Sequence, residues 1–392
     1  MDLLQRFYAI YGAQPTLRGR APGRVNLLGE HVDYNNGPVL PAAIDREVQL
    51  VAAPSNDDFV SLAALDLQEV GAPPVTFDPR HALARLDIHG QPLPGWALYP
   101  AGVAWALQNA GLSVGGLQVA YTSQVPIGAG LSSSAAVEVG FAILWRLLGG
   151  WEQDGLSLAI LCQKAENNYI GVKSGLMDQF ASANGVAGHA LYFDTQSLAW
   201  EPVPLPANTS LVIADSGLRR QLTTSAYNER RAACEQAVAE LRRFLPNLNS
   251  LRDVQPAEFA AYGEYLDPLI RRRAEHVVHE IARVEFARSA LLRQDTQTMG
   301  ALMYAGHSSL RDLYEVSLPE LDTLVELAHQ QPGCIGARLT GAGFGGCTIN
   351  LVENLYVEEF IAHLQEGYFE KTGHTATVYA CQASNGAQAM VL

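Results

Sequence analysis

Pro126-Ile-Gly-Ala-Gly-Leu-Ser-Ser-Ser-Ala-Ala, residues 126–136, crowds two glycines and three serines directly in front of a helical pattern. Glycines permit close backbone approach, and the unspent N–H groups and positive dipole end of a helix start form a site for an anion. The hydroxyls of Ser132, Ser133 and Ser134 add donors for phosphate, or an oxygen ligand for Mg²⁺. No Walker-type lysine follows the glycines, so the ordinary P-loop is excluded. A serine-capped helix after a glycine turn is the competing reading, and it accounts for one serine and one glycine but not for this density.

Outward from this stretch the pattern alternates between strand and helix. Residues 117–121 form a short apolar run before the glycines, and residues 39–51 and 60–67 have strand character. Helices are predicted over 133–148 and 156–170, with strands again at 191–193 and 211–214 around a proline-rich turn at 202–206. That turn is taken as the boundary between two lobes, residues 1–200 and 201–392. The second lobe opens with a helix over 225–244. A longer helix follows, in which Ile270, Val277, Ile281, Val284 and Leu291 recur at helical spacing while Arg271, Arg272 and Arg273 fall on its solvated face. Residues 347–352 read as a strand. The fold class expected is α+β, two lobes of mixed sheets with helices in both, and a ligand cleft between them.

Three further segments carry polar groups that need partners. Gly341-Ala-Gly-Phe-Gly-Gly matches the GxGxxG spacing, but a strand rather than a helix follows it, which removes the dinucleotide reading and leaves a glycine turn. Arg24, Glu30, His31 and Asp33 lie within ten positions of an otherwise apolar segment. The two carboxylates either pair with Arg24 or accept hydrogen bonds from sugar hydroxyls. In Ser174-Gly-Leu-Met-Asp-Gln-Phe, Ser174 is the expected N-cap and Asp178 falls in the first helical turn, where the dipole favours its charge. Glu166 stands on the preceding helix.

Composition narrows the function classes. The 392 residues are 48% hydrophobic and 17% charged, enough for about two or three packed domains and far from a disordered composition. A net charge of −14 provides no general field for nucleic acid or an anionic membrane surface. Five cysteines without a CxxC pair point to a reducing compartment with neither disulfide framework nor zinc site. The first ten residues contain no secretory signal pattern. Residues 88–137 carry no Asp, Glu, Lys or Arg until position 138, yet prolines at 92, 94, 100 and 126 interrupt them well below the length of a membrane span.

Taken together, the ordered motifs at 23–35, 126–136 and 339–346 resemble the GHMP kinase superfamily and, within it, the galactokinase family, over essentially the whole chain. Ser174 to Phe180 is similar to that family's catalytic aspartate segment, and Ser225-Ala-Tyr-Asn-Glu-Arg-Arg to its sugar-contacting tyrosine segment. The resemblance implies ATP-dependent phosphorylation of the C1 hydroxyl of α-D-galactose by a cytoplasmic enzyme that is a monomer or weak homo-oligomer. It implies catalytic positions at Arg24 and Asp178. Sugar contacts are expected at Glu30, His31, Asp33, Gly175, Asp178 and Tyr227. Nucleotide contacts are expected at Gly128, Gly130, Leu131, Ser132, Ser133 and Ser134, with Trp96 and Tyr99 on the adenine side. Ser133, Ser134 and Glu166 match positions near Mg²⁺. The chain departs from the family's usual pattern at Lys173 and Ser174, where proline and cysteine are common, and at Pro38, where an aromatic residue is usual. Alternative functions are a kinase for N-acetylgalactosamine or a broader range of aldoses, and a non-catalytic galactose sensor.

Overall fold

The structure, a computed structural model of the chain, describes residues 2–69, 71–219 and 223–392, with the backbone only of 223–225. Its strands in chain order are β1 (Leu17–Asn26), β2 (Pro38–Val39), β3 (Pro41–Pro54), β4 (Val60–Ala64), β5 (Val75–Phe77), β6 (Leu117–Ser123), β7 (His189–Asp194), β8 (Trp200–Pro204), β9 (Thr209–Asp215), β10 (Cys334–Thr340), β11 (Cys347–Glu353), β12 (Thr377–Cys381) and β13 (Gln388–Val391). The helices are α1 (Leu3–Tyr11), α2 (Gly95–Asn109), α3 (Ser133–Gly149), α4 (Gly155–Lys164), α5 (Met177–Asn184), α6 (Thr223–Leu241), α7 (Pro256–Tyr262), α8 (Pro268–Leu292), α9 (Thr296–Ser309), α10 (Pro319–His329) and α11 (Val357–Thr372).

A six-stranded sheet of order β13-β1-β3-β6-β4-β5 organises the first lobe, antiparallel except where β4 runs parallel to β6; its edge strand β13 comes from residues 388–391, which the expected boundary at 200/201 assigns to the second lobe. On one face it buries Ala21, Val48, Leu50 and Val119 in the same core as Val139, Phe141 and Trp145 of α3. On the other, Phe7 of α1 packs with Val51, Ala53, Ala63 and Ala120. The inside-outside alternation of strands thus supplies both cores. A second sheet, β10-β11-β9-β12, is fully antiparallel and carries α9 to α11, while α8 packs on α9 and on strands β2 and β8. The small sheet β2-β7-β8 lies between. No helix among the described residues is long and apolar enough to cross a membrane.

Three local features differ from the sequence expectation. The prolines at 202–204 do not make a turn: they lie in β8, the edge strand against β7, where a missing N–H costs no ladder bond. The chain then crosses to the second sheet through residues 205–208. The helix expected to run on to residue 170 passes into a π-helical turn at Ala165–Ile170, and a second π-helical turn, Leu310–Tyr314, follows α9. Finally, Arg273 is buried, its guanidinium 2.5 Å from Glu315 and bonded to the Leu313 carbonyl, while Arg271 is exposed. Arg273 stands three residues after Ile270 and four before Val277, so the helical spacing itself puts it on the apolar stripe, which the reading of 271–273 as one solvated charge run overlooks.

The helix that will matter most for the site, α5, is anchored by Phe180, fully buried and stacked on Phe193 with ring centroids 3.8 Å apart. Phe180→Ala removes a core aromatic and leaves a cavity. The expected cost is about 3–5 kcal/mol, read as a lower midpoint in chemical denaturation.

Candidate active site

Strand β6 feeds the glycine-rich loop, where Gly128 and Gly130 take φ of 69° and 80°. Ser132 is also left-handed, at 58°, and α3 begins at the next residue with no side-chain cap on its N-terminus. Instead of capping, the Ser132 hydroxyl donates to Asp178. The first N–H groups of α3 are therefore unspent by any side chain, which is what an anion site requires. The second glycine stretch is the turn between β10 and β11, as its pattern indicates, and it backs the first loop directly. A Cβ on Gly341 would stand 2.7 Å from the Gly130 carbonyl oxygen, and one on Gly346 2.7 Å from that of Ala129. Only glycine fits a backbone-to-backbone approach of this kind.

Arg24 ties the loop to α5. A bulge in β1 between Pro22 and Arg24 breaks the ladder with β3 and frees the Arg24 N–H, which donates to the Leu131 carbonyl at 3.1 Å. Its guanidinium grips Asp178 with two hydrogen bonds of 2.9 Å and donates a third to the Gly130 carbonyl. This fork-to-fork pair answers the alternative left open for Arg24: its carboxylate partner is Asp178, not Glu30 or Asp33. Asp178 does sit in the first turn of α5, but Leu176 occupies the N-cap position and Ser174 is not the cap. The Ser174 hydroxyl donates to Glu166, which also accepts from Ser134 at 3.3 Å and from Gln179 at 2.9 Å. Glu166 reaches this place because the π-helical turn offsets it from the regular helix.

Arg24, Glu30, His31, Asp33, Glu166, Gly175, Asp178 and Tyr227 line one cavity, together with Val172, Ser174, Met177, Gly341 and Ala342. Burial pushes the Asp33 carboxyl up to about 6, helped by the charge of Asp178 and opposed by N–H donors from Tyr34 and Met177. Burial likewise raises Glu30 to about 7 against the pull of Arg338. The phenol of Tyr227 is held neutral, chiefly by burial. His31 is pushed down to about 4 by burial, so its imidazole is neutral. Its Nε2 lies 3.1 Å from the Ala342 carbonyl, which can only accept, so Nε2 carries the proton. Nδ1 then accepts from the Tyr34 hydroxyl at 2.9 Å, which accepts in turn from Tyr314 at 2.8 Å. Both ring nitrogens are committed to protein partners, so His31 shapes the cavity wall through its ring rather than offering a free nitrogen.

Trp96 and Tyr99, one turn apart on α2, line a second, more apolar cavity with Leu67, Tyr121, Ile127 and Val137. Ser133 and Ser134 form its polar end, so this cavity leads to the N-terminus of α3 and adjoins the first through Ser134 and Glu166. The two cavities have volumes of about 200 and 260 Å³. Leu131 is the predicted contact that the structure turns away: its side chain is buried in the core beside Val25 and Leu27, and only its backbone faces the loop. Gly128 and Gly130 shape the loop rather than line either cavity. Of Ser225, which opens the tyrosine segment, only the backbone is described. Sequence reasoning missed Tyr34, Gln179, Glu280, Tyr314 and Arg338. For Arg338, the available signal was a charged residue inside the strand-like run Ala337-Arg-Leu-Thr.

Comparison with known proteins agrees with this geometry. Three family profiles match: a galactokinase galactose-binding signature at residues 5–54, a GHMP kinase N-terminal domain at 99–186 and a GHMP kinase C-terminal domain at 287–369. Galactokinase of Roseiflexus sp. (strain RS-1) is 44% identical over 98% of this chain and 96% of its own, and that of Bacillus subtilis (strain 168) 38% over 97% of each. The crystal structure of Lactococcus lactis galactokinase complexed with galactose superimposes with a TM-score of 0.92 at 35% identity, covering 98% of both chains. A mevalonate kinase at 18% identity and TM-score 0.63, covering 94% of this chain and 99% of its own, shares the fold. The chain belongs to the galactokinase family of the GHMP kinases.

Proposed function

We propose that the protein transfers the γ-phosphoryl group of ATP to the C1 hydroxyl of α-D-galactose, giving galactose 1-phosphate and ADP. The observation that carries this reading is the Arg24–Asp178 pair, which stands where the polar cavity meets the uncapped N-terminus of α3. In this reading galactose fills the polar cavity, with Glu30 and Asp33 accepting from its hydroxyls and Tyr227 closing one wall. ATP lies along the second cavity, its base between Trp96 and Tyr99 and its phosphates at the glycine loop and the first turn of α3.

Phosphoryl transfer depends mainly on positioning and on stabilising charge that develops on the transferred group. Arg24 suits that role because its guanidinium is already oriented by Asp178 and the Gly130 carbonyl. Asp178 aligns the C1 hydroxyl and takes its proton as the new O–P bond forms; the bond to ADP breaks and ADP leaves with the electron pair. For Mg²⁺, the donor set fits: Glu166 supplies one carboxylate, and Ser133 and Ser134 supply hydroxyls beside the phosphate end of the second cavity. When bound the ion would neutralise phosphate charge. The proposed setting is the cytoplasm, supported by five cysteines that all stand unbridged.

The primary test is ADP release with Mg-ATP across galactose, N-acetylgalactosamine, talose, arabinose, glucose and mevalonate. Turnover is expected on galactose, falling about 10²–10⁴-fold in Asp178→Ala. Galactose binding without turnover on any sugar would replace the kinase by a sensor. Near-normal turnover in Asp178→Asn would remove the proton-acceptor role and leave alignment.

Gly175 offers a sharper steric test. A Cβ there would lie 1.8 Å from the Asp33 carboxylate, so Gly175→Ala displaces a proposed sugar ligand while leaving every charge in place. Galactose KM is expected to rise at least tenfold with ATP KM within about twofold, measured by steady-state kinetics.

The pH dependence has a definite sign. With Glu30 at about 7 and Asp33 at about 6 in the free protein, each carboxylate is an acceptor above its own value and a protonated donor below it. Galactose affinity should therefore fall as pH drops from 7.5 to 5, by up to about tenfold per unit for each carboxyl below its own value, and calorimetric titration measures it.

A further inference from the structure

Glu30 lines the polar cavity, yet its carboxylate is held from the other lobe. Arg338 on β10 is completely buried, with one guanidinium nitrogen 2.5 Å from Glu30 Oε2 and another 2.9 Å from Glu280 Oε1. Glu280 on α8 is also completely buried and bears on the same loop a second time, accepting the Gly29 N–H at 2.9 Å. Its remaining oxygen takes a 2.6 Å bond from Arg283, which completes an alternating chain Glu30–Arg338–Glu280–Arg283. His276, one turn earlier on α8, contacts the Glu30 carbonyl at 3.3 Å, and Thr340, two residues after Arg338, accepts the Asn26 N–H at 2.9 Å. Helix α9 makes room for the guanidinium with Gly306, where a Cβ would lie 2.5 Å from Arg338. By hydrogen-bond geometry neither Glu30 oxygen has a partner among the described residues and both are closed off from solvent, so the ion pair with Arg338 is what holds this carboxylate.

A buried ion pair of this kind is weak evidence for stability, because desolvation offsets much of its attraction, but it does fix geometry. We propose that Arg338 and Glu280 are positioning residues that set the Glu30 carboxylate and the Gly29–Glu30 backbone for sugar binding, so that the second lobe determines the geometry of a sugar-binding loop belonging to the first. This role rests on the galactose reading of the cavity. It separates binding of the two substrates, since neither residue lines the apolar cavity. Arg338→Lys keeps the charge but cannot span two carboxylates with a planar fork.

The experiment is a double-mutant cycle on galactose affinity, measured by calorimetry without turnover, with ATP KM and thermal midpoint recorded for each variant. Arg338→Lys is expected to weaken galactose at least tenfold while ATP KM stays within twofold. Glu30→Gln should cost far more in the wild-type background than in Arg338→Lys, because the lysine variant has already released the carboxylate. Equal costs in the two backgrounds, or parallel loss of galactose and ATP binding with a lower midpoint, would overturn the role. Should Arg338→Lys not fold, the same cycle with Glu280→Gln decides it, since glutamine keeps an acceptor for Gly29 and loses only the charge. A wild-type protein that binds no galactose would instead reject the reading of the cavity.

Discussion

The contact on which the site depends is backbone against backbone. The loop before α3 and the turn between β10 and β11 meet at Gly130–Gly341 and Ala129–Gly346, at separations that exclude a side chain. This contact joins the first sheet to the second, holds the N-terminus of α3 at the seam, and leaves the two cavities on either side of one phosphate-sized region. Glycine is costly to order on folding, and its concentration here reflects a geometry that other residues cannot adopt. Arg24 reinforces the same junction from below, with its N–H on Leu131 and its guanidinium on Gly130.

Around that junction the protein gathers more carboxyl groups than it pairs with cations. Glu30, Asp33, Glu166 and Asp178 line the polar cavity, while Arg24 is the arginine that lines it with them and Arg338 stands behind. Glu138 adds a further buried carboxyl, raised well above its ordinary value by burial and by the charge of Glu166. The Gln179 amide bridges the two, 2.9 Å from an oxygen of each. Such crowding costs folding energy.

Much of this was legible in the chain, and the failures share a cause. The glycine loops, the helix after them, the polar segment at 24–33 and the aspartate at the start of α5 all declare themselves by local spacing. What local spacing cannot report is a partner far away in sequence. Ser174 turns from a cap to Glu166, and Leu131 points into a core assembled from distant strands. Arg338 and Glu280 were missed for the same reason: each reads as an isolated charge until β10, α8 and the Gly29–Glu30 turn are brought together. The π-helical turns at 165–170 and 310–314 add a second cause, since they shift Glu166 and Tyr314 off the regular helical phase.

The strand order has a bearing on how the molecule is made. β1, which carries Arg24, has β3 on one side and β13 on the other, and Leu17 pairs with both Ala52 and Val391. The six-stranded sheet therefore stays open along one edge until residues 388–391 pair with β1. Until then the bare backbone of β1 is a template for pairing with another chain. The arginine most central to the site thus lies on a strand whose two neighbours, residues 41–54 and 388–391, are far apart in sequence, so completing the sheet beside the site requires a long-range pairing with a large loop to close.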